Sequence, residues 1–163
     1  MKTINAYISV CSADSAVPLQ SIKSIAHRPL AYWAIRAALL SPSISKIYVV
    51  TDSEHIQRVL AVNLEEINSS KLVFGINSKI CNQENALVDF CNEHKEASYI
   101  CCINPNAVLL ETEKLEQAIA LIETNKGTAD SVIAVVERPN RIMKLEENGL
   151  LVNLLENQEN LSS

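Results

Sequence analysis

Short runs rich in β-branched and aliphatic residues, at 6–10, 46–50, 71–75, 98–103 and 131–136, alternate with segments whose apolar residues recur at helical spacing. That alternation leaves the chain few folds: strand, helix and strand in turn build a parallel sheet covered by helices. The first run, Ala6-Tyr7-Ile8-Ser9-Val10, enters a polar loop over 11–23, and a helix follows from Pro29 to Leu40. Such sheets bind ligands beyond the carboxyl ends of their strands, so this loop is the first place to expect one. It contains no glycine.

Leu30, Trp33, Ala34, Ala37, Ala38 and Leu40 mark the inner face of the first helix, Pro29 suits its first turn, and Ser41-Pro42-Ser43 stops it. Asp52 or Ser53 is placed to cap a second helix over 54–63. A third helix is expected over 84–95, with Leu87, Val88, Phe90 and Cys91 inward. The run 98–103 is continuously apolar after its first residue, which suits a central strand buried on both faces. Thr112 is placed to cap a fourth helix over 113–125, closed by Gly127. The run 131–136 reads as the last strong strand, and 142–145 with 150–152 as a hairpin turned through Asn148-Gly149. The expectation is an α/β domain of three layers (α/β/α) with a mostly parallel sheet and a C-terminal hairpin. It spans 1–155 as one unit, with a polar tail at 156–163.

Aromatic residues are 4% of the 163, so the core must be aliphatic. A formal charge of −5 argues against nucleic acid as the main partner but leaves room for a nucleotide, which needs one local pocket. No stretch is as long and apolar as a membrane span, and the N-terminus turns polar too early for a signal peptide, so a cytoplasmic location is expected. The five cysteines, Cys11, Cys81, Cys91, Cys101 and Cys102, form no C-x-x-C pair and read as reduced, structural thiols. Cys11 stands apart because it begins the ligand-side loop.

Four segments together resemble the cytidylyltransferases that activate sugar acids, the acylneuraminate (CMP-sialic acid synthetase) group in particular. That family has a strand leading into A-R-x-G-S-K-x-x-x-x-K-N and then x-G-x-P-L; here the text is Cys11-Ser12-Ala13-Asp14-Ser15-Ala16-Val17-Pro18-Leu19-Gln20-Ser21, then Ala26-His27-Arg28-Pro29-Leu30. The V-S-T-D-S landmark reads Val49-Val50-Thr51-Asp52-Ser53, L-Q-P-T-S-P reads Ile103-Asn104-Pro105-Asn106-Ala107-Val108, and D-S-V-x-x-V reads Asp130 to Val135. The resemblance implies a Rossmann-like nucleotidyltransferase fold. It also implies transfer of CMP from CTP to a sugar acid with release of pyrophosphate, and Mg²⁺ as cofactor.

Carried over by position, Gln20 and Lys23 are the catalytic candidates, with Gln20 where the family has lysine. Cys11, Ser12, Asp14, Ser21, Asn104 and Asn106 are the nucleotide-binding candidates, with Ser12 at the arginine position and Ser21 at the asparagine position. The family loop approaches the triphosphate with glycine amides and neutralises it with cations. Here those cations and glycines are replaced, and Asp14 adds a negative charge, so impaired transfer is expected. The family's downstream metal carboxylate and dimer-forming segment have no counterpart within these residues. A monomer or a different interface is therefore open.

Several residues admit two readings. Asp52 is a helix cap or a metal or ribose ligand; Lys23 and Arg28 supply phosphate charge or are solvated. His27, at the family glycine position, serves a turn or catalysis; Lys79 replaces a family arginine or does not. Asn104 and Asn106 read a base or make a turn. Three functional readings follow: a weakened cytidylyltransferase, a non-catalytic nucleotide- or sugar-binding relative or partner subunit, and a reused scaffold with chemistry at Cys11.

Overall fold

The computed structural model describes residues 3–13, 17–67, 69–78, 80, 83–135, 143–145 and 151–153. The chain divides into two compact units, Met1–Val132 and Ile133–Ser163. In the first, four parallel strands lie in the order β5-β4-β1-β6: β1 (Ile4–Val10), β4 (Lys46–Thr51), β5 (Leu72–Ile76) and β6 (Tyr99–Cys102). A two-residue ladder of β2 (Ser24–Ile25) and β3 (Arg28–Pro29) precedes helix α1 (Leu30–Leu39). Helices α2 (Glu54–Leu64), α3 (Gln83–Glu93) and α4 (Thr112–Thr124) follow in their turn.

β1 pairs on both edges, with Ile8 against Val49 of β4 and Tyr7 against Cys102 of β6. The period-2 geometry of a strand sends its residues alternately to two faces. Ile4, Ala6, Ile8 and Val10 join the main core, with Ile35 of α1, Ile56 and Leu60 of α2, and Leu115 and Ile119 of α4. On the other face Tyr7 meets Phe90 of α3, ring centroids 4.6 Å apart, and Cys11 packs with Ile80 and Ala86. Helices thus cover both faces, the three-layer arrangement expected. Asn5 on β1 is 1% exposed, and its carboxamide finds no hydrogen-bond partner among the described residues.

Helix α1 is buried around most of its girth because α2 and α4 both pack on it. Its alanines, Ala31, Ala34, Ala37 and Ala38, allow that close approach. Beyond its C-terminus, Ser41 and Ser43 donate through their hydroxyls to the Glu116 carboxylate of α4, Ser43 at 2.5 Å. Lys71 donates to the Ser41 carbonyl at 3.0 Å. Burial raises the Glu116 pKa, but the hydrogen bonds from Ser41 and Ser43 outweigh it and hold the group below the ordinary glutamate value.

Leu40, Val88 and Cys91, expected on inner helix faces, are exposed, and four expectations about caps and strands also need correcting. Thr112 does not cap α4: Glu111 holds the N-cap position, and the Thr112 hydroxyl donates instead to the Ala37 carbonyl at 2.9 Å. The last carbonyls of a helix lack intrahelical partners, and this one takes Thr112. β6 is not a central strand buried on both faces: among the described residues it stands last in the sheet, with Cys102 exposed. Correspondingly, Ser131 to Val135 forms no strand, and Ile133 and Val135 are 77% and 85% exposed. A parallel strand needs a ladder partner, and hydrophobic pattern alone does not supply one. Finally, of the two residues offered as the cap of α2, Ser53 takes the position, accepting from the Ile56 N–H at 3.5 Å, and Asp52 does not.

The second unit contains the expected antiparallel hairpin, β7 (Met143–Leu145) with β8 (Leu151–Asn153). The turn proposed at 146–149 and the tail at 156–163 lie outside the described residues.

Two predictions come from these contacts. Ala26 (φ 50°) and His27 (φ 64°) join β2 to β3 with positive φ at both central positions, the signature of a type I′ turn, which favours glycine. His27→Gly should therefore raise stability by about 1 kcal/mol, read as a higher urea midpoint at unchanged slope. The depressed Glu116 pKa means its contribution is fully present above the ordinary glutamate titration, near pH ~4.3, and is lost as pH falls through the lowered value. Glu116→Gln should flatten the acid limb of the stability–pH profile measured by urea unfolding.

Candidate functional site

The helices reveal where the sheet changes direction. α1 and α2 connect β1 to β4 and β4 to β5 on one face; α3 then returns the chain to β6 across the other. β1 and β6 flank that reversal, and in open α/β sheets the crevice beyond the carboxyl ends at such a point holds ligands. A cavity of about 540 Å³ lies there, lined by Tyr7, Ser9, Leu87, Cys102, Ile103, Asn104, Pro105 and Asn106. None of these walls carries a formal charge at neutral pH. Burial first, then the neighbouring thiols of Cys11, Cys102 and Cys91, pushes the Tyr7 phenol above its usual value, so it remains a neutral hydroxyl. Burial, then Cys91, likewise raises the Cys102 thiol.

Asn104 and Asn106 are brought together in this cavity. The Asn106 N–H donates to Asn104 Oδ1 at 2.9 Å, an Asx turn that fixes the loop after β6. One acceptor site of the carboxamide oxygen is taken locally, leaving its second lone pair and the NH₂ end for a ligand.

Ser12 is held elsewhere on the rim. Its backbone N–H donates to Asp52 Oδ1 at 2.9 Å and its hydroxyl to Asp52 Oδ2 at 2.7 Å, joining the ends of β1 and β4. Both oxygens of the carboxylate are engaged, which gives Asp52 a tethering role that capping statistics do not suggest. No sequence signal linked these two residues, which are 40 positions apart.

The other predicted residues are placed differently. Cys11 is 7% exposed, packed with Ile80 and Ala86, so its thiol belongs to the core and not to the loop surface. Ser21 is 6% exposed within the 3-10 turn Gln20–Ile22. Gln20 is half-buried in that turn and Lys23 is exposed just after it; neither lines the cavity. His27 sits in the β2–β3 turn, as its turn reading expected. Arg28 supplies no charge to the rim: it pairs with Glu66 at 2.7 Å, reaches the Asn63 carbonyl at 3.4 Å and lies 5.3 Å from the Tyr32 ring centre. The hydrogen bond to Glu66, with its charge, raises the Arg28 pKa. Asp14 and Lys79 lie outside the described residues. Tyr7, Ser9 and Leu87 are cavity residues that the sequence reading missed; the polar residues of an otherwise apolar β1 were the available signal.

Residues 15–161 match the model of the cytidylyltransferase family. The chain belongs to that family. N-acylneuraminate cytidylyltransferase A of Danio rerio is 32% identical over 146 residues, covering 90% of this chain and 33% of that protein. The N-acylneuraminate cytidylyltransferase of Oncorhynchus mykiss is 27% identical, covering 83% of this chain and 30% of its own length. The chain thus spans about a third of the length of these curated relatives.

Among solved structures, a CMP:2-keto-3-deoxy-manno-octonic acid synthetase complexed with CTP superposes with a TM-score of 0.63 at 13% identity, covering 77% of this chain and 49% of that one. A 4-diphosphocytidyl-2C-methyl-D-erythritol synthase from Anaerococcus prevotii gives a TM-score of 0.66 at 12% identity, covering 93% and 63%. Those likenesses establish a Rossmann-like nucleotidyltransferase fold. No helix among the described residues is long and apolar enough to cross a membrane.

The residues present do not fit a ready-made Mg²⁺ site. Among the described residues no three acidic, histidine or cysteine side chains come together as a ligand set, and Asp52 has both oxygens turned to Ser12.

Ser12→Ala tests the tether. Removing the hydroxyl leaves one Asp52 oxygen without that donor, and the loss should be about 1.5 kcal/mol in urea unfolding, the usual worth of a hydrogen bond to a charged group.

Proposed function

We propose that this chain is the nucleotide-handling part of a cytidylyltransferase, taking the cytidine end of CTP into the cavity between β1 and β6. It passes CMP to a sugar acid and releases pyrophosphate, at a rate well below that of a family loop with its full set of cations. The observation that carries the reading is the cavity at the sheet's reversal point, walled by Ser9, Asn104 and Asn106 beside the loop after β1. Amide and hydroxyl groups on an apolar floor suit a pyrimidine nucleoside, with orientation set by a few polar contacts.

In the transfer step a hydroxyl oxygen of the sugar acid bonds to the α-phosphorus while the bond to the β-phosphate oxygen breaks. Catalysis of this kind rests on positioning and on neutralising the phosphates. Lys23 is the one cationic side chain between Cys11 and His27, and Gln20 is the amide beside it, so these two are assigned to the leaving pyrophosphate. One amide and one exposed lysine are weak replacements for two cations, which accounts for the slow rate.

The Ser12–Asp52 bond favours a second reading, a relative that binds a nucleotide or sugar without turnover, because it places a carboxylate where charge neutralisation is needed. The two separate in one assay. Purified protein given CTP, an acylneuraminate and Mg²⁺ should form pyrophosphate and the CMP-sugar in equal amounts, and Lys23→Ala should reduce both by roughly tenfold or more, the scale of one lost transition-state contact. Pyrophosphate no greater than that of the Lys23→Ala protein selects the non-catalytic reading.

A further inference from the structure

A second cavity, of about 610 Å³, lies over β4 and β5, whereas the first lies between β1 and β6; the two share Tyr7. Its floor is the second face of the sheet, where Tyr48 and Val50 of β4 stand beside Gly75 of β5. Ala86, Asp89, Phe90 and Glu93, at i, i+3, i+4 and i+7 of α3, form the wall above. We propose that this cavity binds a small organic cation of the alkylammonium class, recognised by the aromatic rings and the two carboxylates that line it. Gly75 is the first observation. A glycine inside a strand weakens it and often marks a place where a ligand approaches the backbone closely. Gly75 has no positive φ to require it, and a side chain there would meet only the Val50 methyls, its Cβ at 3.8 and 4.0 Å. The strand would accept a larger residue, so what the glycine provides is open floor.

The chemistry of the walls is the second. Phe90 touches Tyr7 and Tyr48, with ring centroids 4.6 and 5.0 Å apart, and His94 adjoins both Phe90 and Tyr48, at 4.3 and 4.4 Å. Aromatic rings attract organic cations through their electron-rich faces. The stripe of a helix that looks onto a sheet is where apolar residues belong. Here that stripe carries Asp89 and Glu93, while Val88 and Cys91 of the same helix are exposed. Neither carboxylate makes a hydrogen bond or ion pair among the described residues. Of the described residues lining the cavity none is lysine or arginine, and the His94 ring already has Glu96 at 3.2 Å from Nδ1. Val50 and Ile76 add aliphatic surface for alkyl groups. A metal ion asks for a full set of oxygen ligands, which two carboxylates do not make; a weakly hydrated ammonium ion does not.

The experiment is a calorimetric titration of the whole chain with choline and with 3,3-dimethyl-1-butanol, its uncharged carbon counterpart. Choline should bind more tightly by about tenfold or more. Asp89→Asn combined with Glu93→Gln, both at exposed positions, should remove most of that difference. Gly75→Leu should fill the floor and abolish binding of both ligands without lowering the urea midpoint. Equal affinity for the two ligands overturns the proposal, because charge is then not what the cavity reads. Choline binding undiminished by Gly75→Leu overturns it too, by assigning the cation to the acidic surface at large. So does the absence of any choline binding. The two ligands are compared on the unmodified protein, so a variant that fails to fold does not remove the test. The nucleotide reading of the other cavity stands or falls separately, on CTP.

Discussion

Strand β1 is hydrogen-bonded on both edges to parallel neighbours, β4 and β6, and the rest of the molecule is arranged around that fact. Parallel pairing makes all three strands end at one rim, so the loops after Val10, Thr51 and Cys102 converge although they are far apart in sequence. A strand in that position must also bury both faces. Ile8 and Val10 do so against α1, α2 and α4, and Tyr7 and Cys11 against α3. Among the described residues α3 is the one helix on the second face, and the crevice lies open between β1 and β6. The cavity is a product of topology before it is a product of side chains.

What the rim can do is decided by charge. Family loops meet a triphosphate with cations and glycine amides; this chain presents a serine whose donors are taken by a carboxylate of the next loop. The bond ties the end of β1 to the end of β4. The described walls of the β1–β6 cavity carry no formal charge at neutral pH.

Much of the first unit can be read from pattern. The strands at 4–10, 46–51 and 72–76 and all four helices fall within a few residues of where periodicity places them, because each element hides one apolar face and that demand is written locally. Pro29 and His27 were readable for a similar reason: a proline suits a first helical turn, and a residue at the family glycine position sits in a turn with φ of 64°. The misreadings share a cause. Thr112 has the chemistry of a cap but is drawn to the Ala37 carbonyl; 98–103 has the composition of a central strand but sits last in the sheet. In the first a local preference yields to a partner from elsewhere in the chain; in the second no strand among the described residues pairs with the outer edge.

The candidate site divides the same way. Asn104 and Asn106 could be picked out because they follow an apolar run that must be a strand, and residues after such strands face the rim. Cys11 and Ser21 could not be assigned, since burial of a small residue depends on what packs over it, here Ile80 and Ala86 in the case of Cys11. The sequence by itself determined the class of fold, the order of its strands and helices, and the family, because these follow from hydrophobic period and from short ordered motifs. Only the tertiary structure decided that Asp52 holds Ser12, that Arg28 is committed to Glu66, and that the cavity walls are neutral. The first two are pairings across 40 and 38 residues of chain, and such pairings are chosen by where the sheet brings the loops.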